Sequence, residues 1–147
     1  MATVIDLFTR KIVGLSVYTT HATQLVLSAF MNALLKHSRP AIFHSDNGSE
    51  YNAEVFVEAV HTVGTTISRS APSCPWENGY QESFYSQFKV DLGDWSRFKN
   101  IAELVLAVYQ TIWQYNNTRI HTALKMSPVQ FAQKIAHRYN SENKVSV

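Results

Sequence analysis

Two acidic side chains stand in sequence contexts that suit chemistry at a metal ion. Asp46 follows the short apolar run at residues 41–43 and precedes Asn47-Gly48, which indicates a turn directly after a strand. Functional groups in α/β sheets lie outside the carboxyl ends of strands. Glu82 comes later, with 35 residues between it and Asp46, on the first turns of a predicted helix. We hypothesise that the two carboxylates meet at one divalent cation.

Phosphoryl transfer between polynucleotides is the reaction that such a pair suits. This chemistry commonly uses two divalent ions about 3.5–4 Å apart, and Mg²⁺ accepts one or two carboxylates together with water and phosphate oxygens. On the predicted helix, Glu82, Ser86 and Lys89 share one face. Phe84 and Phe88 fall on another face, so the carboxylate points away from the apolar side. Lys89, two turns further on, could hold a phosphate as a point charge.

Both acids also have ordinary structural explanations. An Asp before Asn-Gly commonly bonds its own backbone in a turn. A Glu early in a helix favours the helix dipole. Spacing alone therefore leaves the catalytic and the structural interpretations of Asp46 and Glu82 open.

Composition indicates one globular domain. The chain has 147 residues, of which 46% are hydrophobic and 16% charged, a balance typical of folded domains. Its one cysteine, Cys74, excludes an internal disulfide framework and suits a reducing compartment. No apolar run approaches the length of about 18 residues that a membrane span needs, and no signal peptide pattern is present. The net charge of +2 is compatible with nucleic acid without indicating it.

The strand-like segments predict a hairpin followed by a parallel unit. Residues 2–6 and 11–18 are rich in strand-forming residues and flank a four-residue turn at 7–10, the pattern of a β-hairpin. Further strands are predicted at 41–44 and 65–68, with a helix between them. A strand, helix and strand of this length predict parallel pairing with a right-handed crossover.

The helical segments complete a mixed α/β domain over residues 1–140, followed by a polar tail at 141–147. Helices are predicted at about 22–37, 53–63, 78–92 and 101–115, with a last one that begins at Ser127-Pro128. Thr19 or Thr20 is expected to cap the first helix and Asn52 the second. Gly64 and Gly93 are expected to end the helices before them. The order of elements predicts a three-layer arrangement of a sheet with helices on its faces.

Motifs along nearly the whole chain are similar to those of one family. They are residues 4–14 (VIDLFTRKIVG), 44–49 (HSDNGS) and 75–79 (PWENG) leading into Glu82-Ser83-Phe84, then Tyr115-Asn116-Asn117, Arg119, His121 and Ser127-Pro128. These residues resemble the catalytic core of retroviral-type integrases and of the bacterial insertion-sequence transposases that share that core. The 35-residue gap before the glutamate is the spacing of that family.

The resemblance implies a ribonuclease H-like fold and an Asp-Asp-Glu site that binds Mg²⁺ or Mn²⁺, with two ions in the complete family site. Asp46 corresponds to the second aspartate of that site and Glu82 to its glutamate. Lys89 corresponds to a DNA-contacting lysine. The implied function is DNA transposition or integration by metal-dependent phosphodiester cleavage and strand transfer. The implied partners are transposon ends and target DNA, and the implied state is a homodimer or larger assembly in the bacterial cytoplasm.

One departure from the family pattern concerns the first catalytic aspartate. In the family it lies on a central strand upstream of the hairpin, whereas this sequence starts at the hairpin. Asp6 is the only acid before Asp46, and the resemblance places it at the hairpin turn, so we interpret it as a turn residue. We therefore expect a sheet without its first, central strand and a chain that is inactive alone.

The absence of this strand raises two questions, how the exposed strand edges are covered and whether the chain has another function. Because it would leave unpaired backbone on both neighbouring strands, we expect the hairpin to re-pair locally or a second copy to cover the gap. A catalytically inactive remnant that binds DNA or dimerises is the alternative function. A different ribonuclease H-like nuclease is a third possibility, and the match from hairpin to tail argues against it.

Five further residues are candidates near the site. Arg69 and Trp76 bound a loop at 69–76 and are predicted to contact DNA, Trp76 by stacking on a base. A hydrophobic anchor before a helix is the alternative for Trp76. The family pattern favours a role near the site for Arg119 and His121, although His121 also fits a plain helix-to-helix connector. His44 precedes Asp46 by two residues and either tunes the site or is a satisfied buried histidine.

Overall fold

The computed structural model describes residues 1–20, 22–71 and 74–144. The chain divides into two compact units. The first comprises Met1–Ile5 and Ile12–Ser86, and the second comprises Asp6–Lys11 and the described residues from Gln87 onward. Among the described residues, no helix is both long enough and apolar enough to cross a membrane.

The first two strands form the predicted hairpin. Strand β1 (Ala2–Ile5) pairs antiparallel with β2 (Ile12–Ser16), with Ala2 opposite Ser16 and Ile5 opposite Ile12. The turn between them closes through a hydrogen bond from the Arg10 amide to the Asp6 carbonyl, 2.8 Å long. Arg10 adopts a φ of 62°, the left-handed conformation that lets a short loop return the chain to the second strand.

The second pair of strands is parallel, as predicted. Strand β3 (Ile42–Ser45) pairs with β4 (Thr66–Arg69), in a register that runs from Ile42 opposite Thr66 to Ser45 opposite Arg69. Among the described residues the two pairs form separate two-stranded sheets. The expected mixed α/β architecture is therefore observed, as two strand pairs with helices in place of the predicted single sheet. The expectation that a second copy covers the gap stays a prediction.

Three helices accompany these strands in the first unit. They are α1 (Thr23–Leu34), the single turn α2 (Ser49–Asn52) and α3 (Glu54–Thr62). Gly64 has a φ of 74°, the left-handed geometry predicted for the residue after a helix end. The apolar face of α1 packs with that of α3 and with β1 in one core, whose fully enclosed members include Leu25, Ala29, Phe30, Phe56 and Val60.

The predicted caps of the first two helices are wrong. Ala22 is the N-terminal cap of α1, and neither Thr19 nor Thr20 holds that position. Ala53 is the cap of α3, because the extra turn α2 occupies the segment between Asp46 and α3. Asn52 ends that turn, and its side-chain amide instead donates to the carbonyl oxygens of the loop before it.

Three longer helices follow. A 3₁₀ turn at Pro75–Asn78 leads into α4 (Gly79–Leu92), and a second one at Trp95–Arg97 precedes α5 (Ile101–Asn117). Gly93 ends α4 with a φ of 72°, as predicted. The last helix, α6 (Pro128–Lys144), extends into the segment predicted as a polar tail, of which residues 145–147 lie outside the described part.

The start of α6 is the predicted Ser-Pro cap. The Ser127 hydroxyl accepts a hydrogen bond from the Gln130 amide at 3.3 Å, and the Gln130 side chain accepts one from the Ser127 amide at 3.1 Å. This reciprocal pair is a capping box, which satisfies two backbone donors that the first turn of a helix leaves without partners. At the start of α5, Asn100 accepts a hydrogen bond from the Glu103 amide at 3.0 Å.

Candidate active site

Asp46 lies in the turn that directly follows β3, and its side chain is exposed. One carboxylate oxygen, Oδ1, accepts a hydrogen bond from the Gly48 amide at 3.0 Å. This is the local turn bond that an Asp two residues before a glycine tends to make. The described residues supply no cationic partner, so the other oxygen of Asp46 is available to an external cation.

The Asp46 turn is fastened to the end of β4 by polar contacts with Ser70, which is 7% exposed. The Ser70 amide donates to the Ser45 carbonyl at 2.9 Å. The Asn47 side-chain amide donates to the Ser70 carbonyl at 2.8 Å. The position of the Asp46 carboxylate is therefore set by the neighbouring strand as well as by its own turn.

His44 lies across the strand pair from two serines. Its Nδ1 is 3.0 Å from the Ser68 hydroxyl and its Nε2 is 3.1 Å from the Ser70 hydroxyl. Both ring nitrogens thus have partners, as expected for a satisfied, half-buried histidine. A tuning role for His44 stays a prediction.

Glu82 lies in the first turn of α4 and is exposed. No hydrogen bond or ion pair engages its carboxylate among the described residues. Phe84 and Phe88, on another face of the helix, are 3% and 6% exposed, so the predicted separation of the acidic face from the apolar face is confirmed. Lys89 is exposed two turns beyond Glu82.

The first half of α4 is fastened to β1 through Thr3. The Gln81 side chain donates to the Thr3 hydroxyl at 2.5 Å, and that hydroxyl donates to the phenol oxygen of Tyr85 at 3.2 Å. Gln81 precedes Glu82 by one residue, and Tyr85 follows it by one helical turn. These bonds hold the first half of α4 against β1 and thereby set the side of the helix on which Glu82 lies.

Tyr51 lies in α2, five residues after Asp46 in the chain. Burial raises the pKa of its phenol, and the negative charge of Asp46 and the neighbouring Tyr85 and Glu50 raise it further. Among residues 1–20, 22–71 and 74–144, no group of three or more His, Cys, Asp or Glu side chains is placed to hold a metal ion.

Two predicted DNA contacts lie at the end of β4 and in the connection from β4 to α4. Arg69 is the last residue of β4, not a loop residue as predicted, because the parallel ladder with β3 extends to Ser45. Its side chain is exposed. Trp76 is 72% exposed in the 3₁₀ turn before α4, so it is not the buried anchor of the alternative interpretation. The Glu77 carboxylate, in the same 3₁₀ turn, accepts a hydrogen bond from the Ala71 amide at 2.7 Å.

The remaining candidates lie in the second unit. Asp6 is a turn residue: its Oδ1 accepts hydrogen bonds from the amides of Phe8 and Thr9 at 3.0 and 2.7 Å. Arg119 forms an ion pair with Asp91 at 2.8 Å. Burial lowers the pKa of His121, and so do the positive charges of Arg10 and Arg119.

Ser70, Tyr51 and Tyr85 lie near the acids, and the sequence patterns did not predict a role for them. Ser68 and Ser70 alternate at the end of β4, as His44 and Asp46 do around the end of β3. That period of two could have signalled side chains on one face, provided that the register of the two strands were known. Tyr85 shares the face of Glu82 at a spacing of three residues, which was a usable signal.

Comparison with known proteins identifies relatives over nearly the whole chain. Two models of an integrase core domain match, one over residues 1–75 and one over residues 63–128. The transposase for insertion sequence element IS904 of Lactococcus lactis is 35% identical over 145 residues, which are 96% of this chain and 55% of that protein. Transposase InsF for insertion sequence IS3A of Escherichia coli is 30% identical over 138 residues, 91% of this chain and 48% of the relative. The chain thus spans about half the length of the curated relatives it matches.

Solved structures of retroviral integrases share the fold. The catalytic core domain of HTLV-2 integrase, in a trimeric complex with magnesium, has a TM-score of 0.69 at 18% identity, covering 86% of this chain and 80% of that one. The catalytic core domain of BIV integrase has a TM-score of 0.70 at 16% identity, covering 92% and 86%. The chain belongs to the integrase core domain family, and it has the ribonuclease H-like core that retroviral integrases share with bacterial insertion-sequence transposases.

Proposed function

We propose that this chain is the catalytic core of an insertion-sequence transposase, which cleaves phosphodiester bonds and joins DNA strands with the help of a divalent metal ion. The family and the transposase relatives support a role in DNA transposition or integration. The observation that carries the proposal is the presence of two exposed carboxylates without cationic partners. Asp46 lies in the turn after β3 and Glu82 in the first turn of α4, and both belong to the first compact unit.

The donor groups of these two residues fit Mg²⁺ or Mn²⁺. Both ions prefer oxygen ligands, and Mg²⁺ is usually held by one or two carboxylates, with water and phosphate oxygens completing its shell. When bound, the ion would activate the attacking oxygen and stabilise the leaving one. The protein itself positions the ligands. The Gly48 amide holds one oxygen of Asp46, and the bonds to Thr3 hold α4.

We also propose that exposed side chains in each of the two units bind DNA. Lys89 and Arg69 can neutralise phosphates, and Trp76 can stack on a base. Arg119 is already paired with Asp91, so its proposed contact requires a phosphate to replace that carboxylate. Transposon ends and target DNA are the proposed substrates, and a dimer or larger assembly is the proposed working state.

A core that binds DNA without cleaving it is the second candidate function. It is favoured by the absence of a third metal-binding group beside Asp46 and Glu82 in the described part of the chain. Two carboxylates compensate the charge of one divalent ion, whereas a second ion would be held weakly.

A metal-dependent strand-transfer assay tests the proposal. The chain is incubated with an oligonucleotide that ends in a 3′-hydroxyl and with plasmid DNA, in Mg²⁺ or Mn²⁺, with and without a chelator. Joined products that the chelator abolishes, and that fall about 100-fold or more in Asp46→Asn and Glu82→Gln, would support the catalytic core. They would also overturn the expectation that the chain is inactive alone. Glu58→Gln, at an exposed glutamate of α3, serves as the control and should keep full activity.

The same assay separates the two candidates. Joined products that survive in both Asp46→Asn and Glu82→Gln would overturn the assignment of these carboxylates. Retention of DNA by the native chain in a gel-shift measurement, without cleavage or joining in either metal, would support the non-catalytic core.

A further inference from the structure

We propose that Ser70 is a positioning residue that holds the Asp46 turn in the conformation that binds the metal. Ser70 directly follows β4, and the sequence motifs give it no role. The inference rests on the proposed function in that it assigns Asp46 to a metal site. The claim that Ser70 fixes the Asp46 turn does not depend on the proposed function, because it rests only on hydrogen bonds.

Three groups of Ser70 bond three residues of the segment that carries Asp46. Its hydroxyl meets the Nε2 of His44 at 3.1 Å, its amide donates to the Ser45 carbonyl at 2.9 Å, and its carbonyl accepts from the Asn47 side chain at 2.8 Å. The residues bonded are therefore the two before Asp46 and the one after it. One buried serine thus spans the turn on both sides of the proposed ligand.

The Ser70 hydroxyl helps to hold the Asp46 turn through its bond to the His44 ring. Ser70 is 7% exposed, and the ring is half-buried, so a lost partner at Nε2 would not be freely replaced by water. Without the hydroxyl the ring keeps only its bond to Ser68, which lies two residues further from the turn. The end of β4 would then be joined to the Asp46 segment by backbone and by Asn47 alone.

A less ordered turn would also leave the Asp46 carboxylate less well oriented. Oδ1 of Asp46 is fixed by the Gly48 amide, and the carbonyl of Gly48 accepts a hydrogen bond from the Asn52 side chain at 3.2 Å. Groups that orient a metal ligand in this way commonly change metal affinity when removed. A turn that samples several conformations would present the remaining oxygen in the right direction for only part of the time.

A matched pair of variants tests the role of the hydroxyl. Ser70→Ala removes the hydroxyl on Nε2, and Ser68→Ala removes an equivalent hydroxyl on Nδ1 that does not reach the turn. Mn²⁺ is titrated into the ¹⁵N-labelled chain, and paramagnetic broadening of the Gly48 amide signal gives the affinity. We expect Ser70→Ala to weaken Mn²⁺ binding about three- to tenfold, the effect of one lost hydrogen bond. Ser68→Ala should change it less than twofold, and Ser70→Thr, which keeps a hydroxyl, should restore it.

Hydrogen exchange of the Gly48 amide without metal is the second readout, and it does not depend on the proposed function. We expect Ser70→Ala to accelerate this exchange several-fold more than Ser68→Ala does. If the native chain binds no Mn²⁺, the proposed metal site fails and the exchange rates alone decide the role of Ser70. Equal exchange in the two alanine variants, or equal loss of Mn²⁺ affinity, would overturn the inference.

A third variant tests the same inference if Ser70→Ala does not fold. Asn47 is exposed, so Asn47→Ala leaves the core untouched while it removes the bond to the Ser70 carbonyl. We expect faster Gly48 exchange and weaker Mn²⁺ binding in this variant as well. Native values of both quantities would show that Ser70 does not hold the turn.

Discussion

At the scale of single residues, the two proposed ligands are held to different degrees. Asp46 has a hydrogen bond to one oxygen and a turn fixed by Ser70 and Asn52. Glu82 has no such bond among the described residues, and only the helix that carries it is fastened. An ion would therefore find one ligand already oriented and would have to order the other, at the entropic cost of fixing a glutamate side chain.

His121 gives a prediction about acid stability. Burial and the charges of Arg10 and Arg119 lower its pKa, and its Nδ1 is buried without a hydrogen-bond partner among the described residues. The unfolded chain therefore takes up a proton at this ring before the folded chain does, so folding loses stability as the pH falls below the ordinary value of 6.5. We expect the melting temperature of His121→Gln to fall less between pH 7.5 and 5 than that of the native chain.

The control for this titration is His61→Gln, at an exposed histidine of α3. Its melting temperature should follow the native curve over the same range of pH. An identical acid response in His121→Gln and the native chain would contradict the assignment of the effect to His121.

At the scale of elements, the sequence predicted what depends on local pattern. The parallel pair β3 and β4, the glycines that end α3 and α4, and the Ser127 cap are all confirmed. The extra turn α2 was not predicted, because Asn52 suits a helix cap as well as a loop contact. The contacts of Ser70 could not be predicted from the sequence, because they depend on the register between two strands that 20 residues separate.

The packing of α1 on β2 gives a prediction at one glycine. A Cβ on Gly14 would overlap the carbonyl oxygen of Ala29 and would press on the side chain of Ala33. Because the clash involves helix backbone, α1 would have to shift. We expect Gly14→Ala to lower the free energy of unfolding by about 1–3 kcal/mol, the usual cost of an overpacked site, as measured by urea denaturation.

Gly79 provides the matched control. It starts α4 with a φ of −58°, and a Cβ there would meet nothing within 4 Å. Gly79→Ala should leave stability unchanged or raise it by about 0.4–1 kcal/mol, because alanine restricts the unfolded chain. Equal stability of the two alanine variants would refute the close approach of α1 to β2.

The capping box of α6 gives a second prediction for an element. Gln130→Ala removes the side chain that accepts from the Ser127 amide, and we expect it to cost about 0.5–1 kcal/mol in urea denaturation. Gln133→Ala changes the same residue type at an exposed position one turn further along α6. It should be neutral or slightly stabilising, since alanine favours helices. A cost for Gln133→Ala as large as that for Gln130→Ala would argue against the capping box.

At the scale of the whole molecule, net charge says little about DNA binding. The formal charge is +2 over 147 residues, so affinity for DNA has to come from local groups. The proposed groups are the exposed Arg69 and Lys89 and the exposed ring of Trp76. A small number of phosphate contacts predicts a shallow dependence of binding on salt concentration.

Two exposed tryptophans test the proposed DNA surface. Trp76 and Trp95 are 72% and 74% exposed, and both lie in 3₁₀ turns. We expect Trp76→Ala to weaken binding of single-stranded DNA about fivefold or more, since base stacking contributes about 1–3 kcal/mol. Trp95→Ala should keep native affinity in the same fluorescence titration. A larger loss in Trp95→Ala would place the DNA surface elsewhere.

The serine pair around His44 has one more consequence. A hydroxyl can either give or receive a proton in a hydrogen bond, so Ser68 and Ser70 can satisfy this imidazole in either tautomer. Whichever ring nitrogen carries the proton, the ring keeps a bond to each serine at the junction of β3 and β4. The support behind Asp46 therefore does not depend on which tautomer His44 adopts.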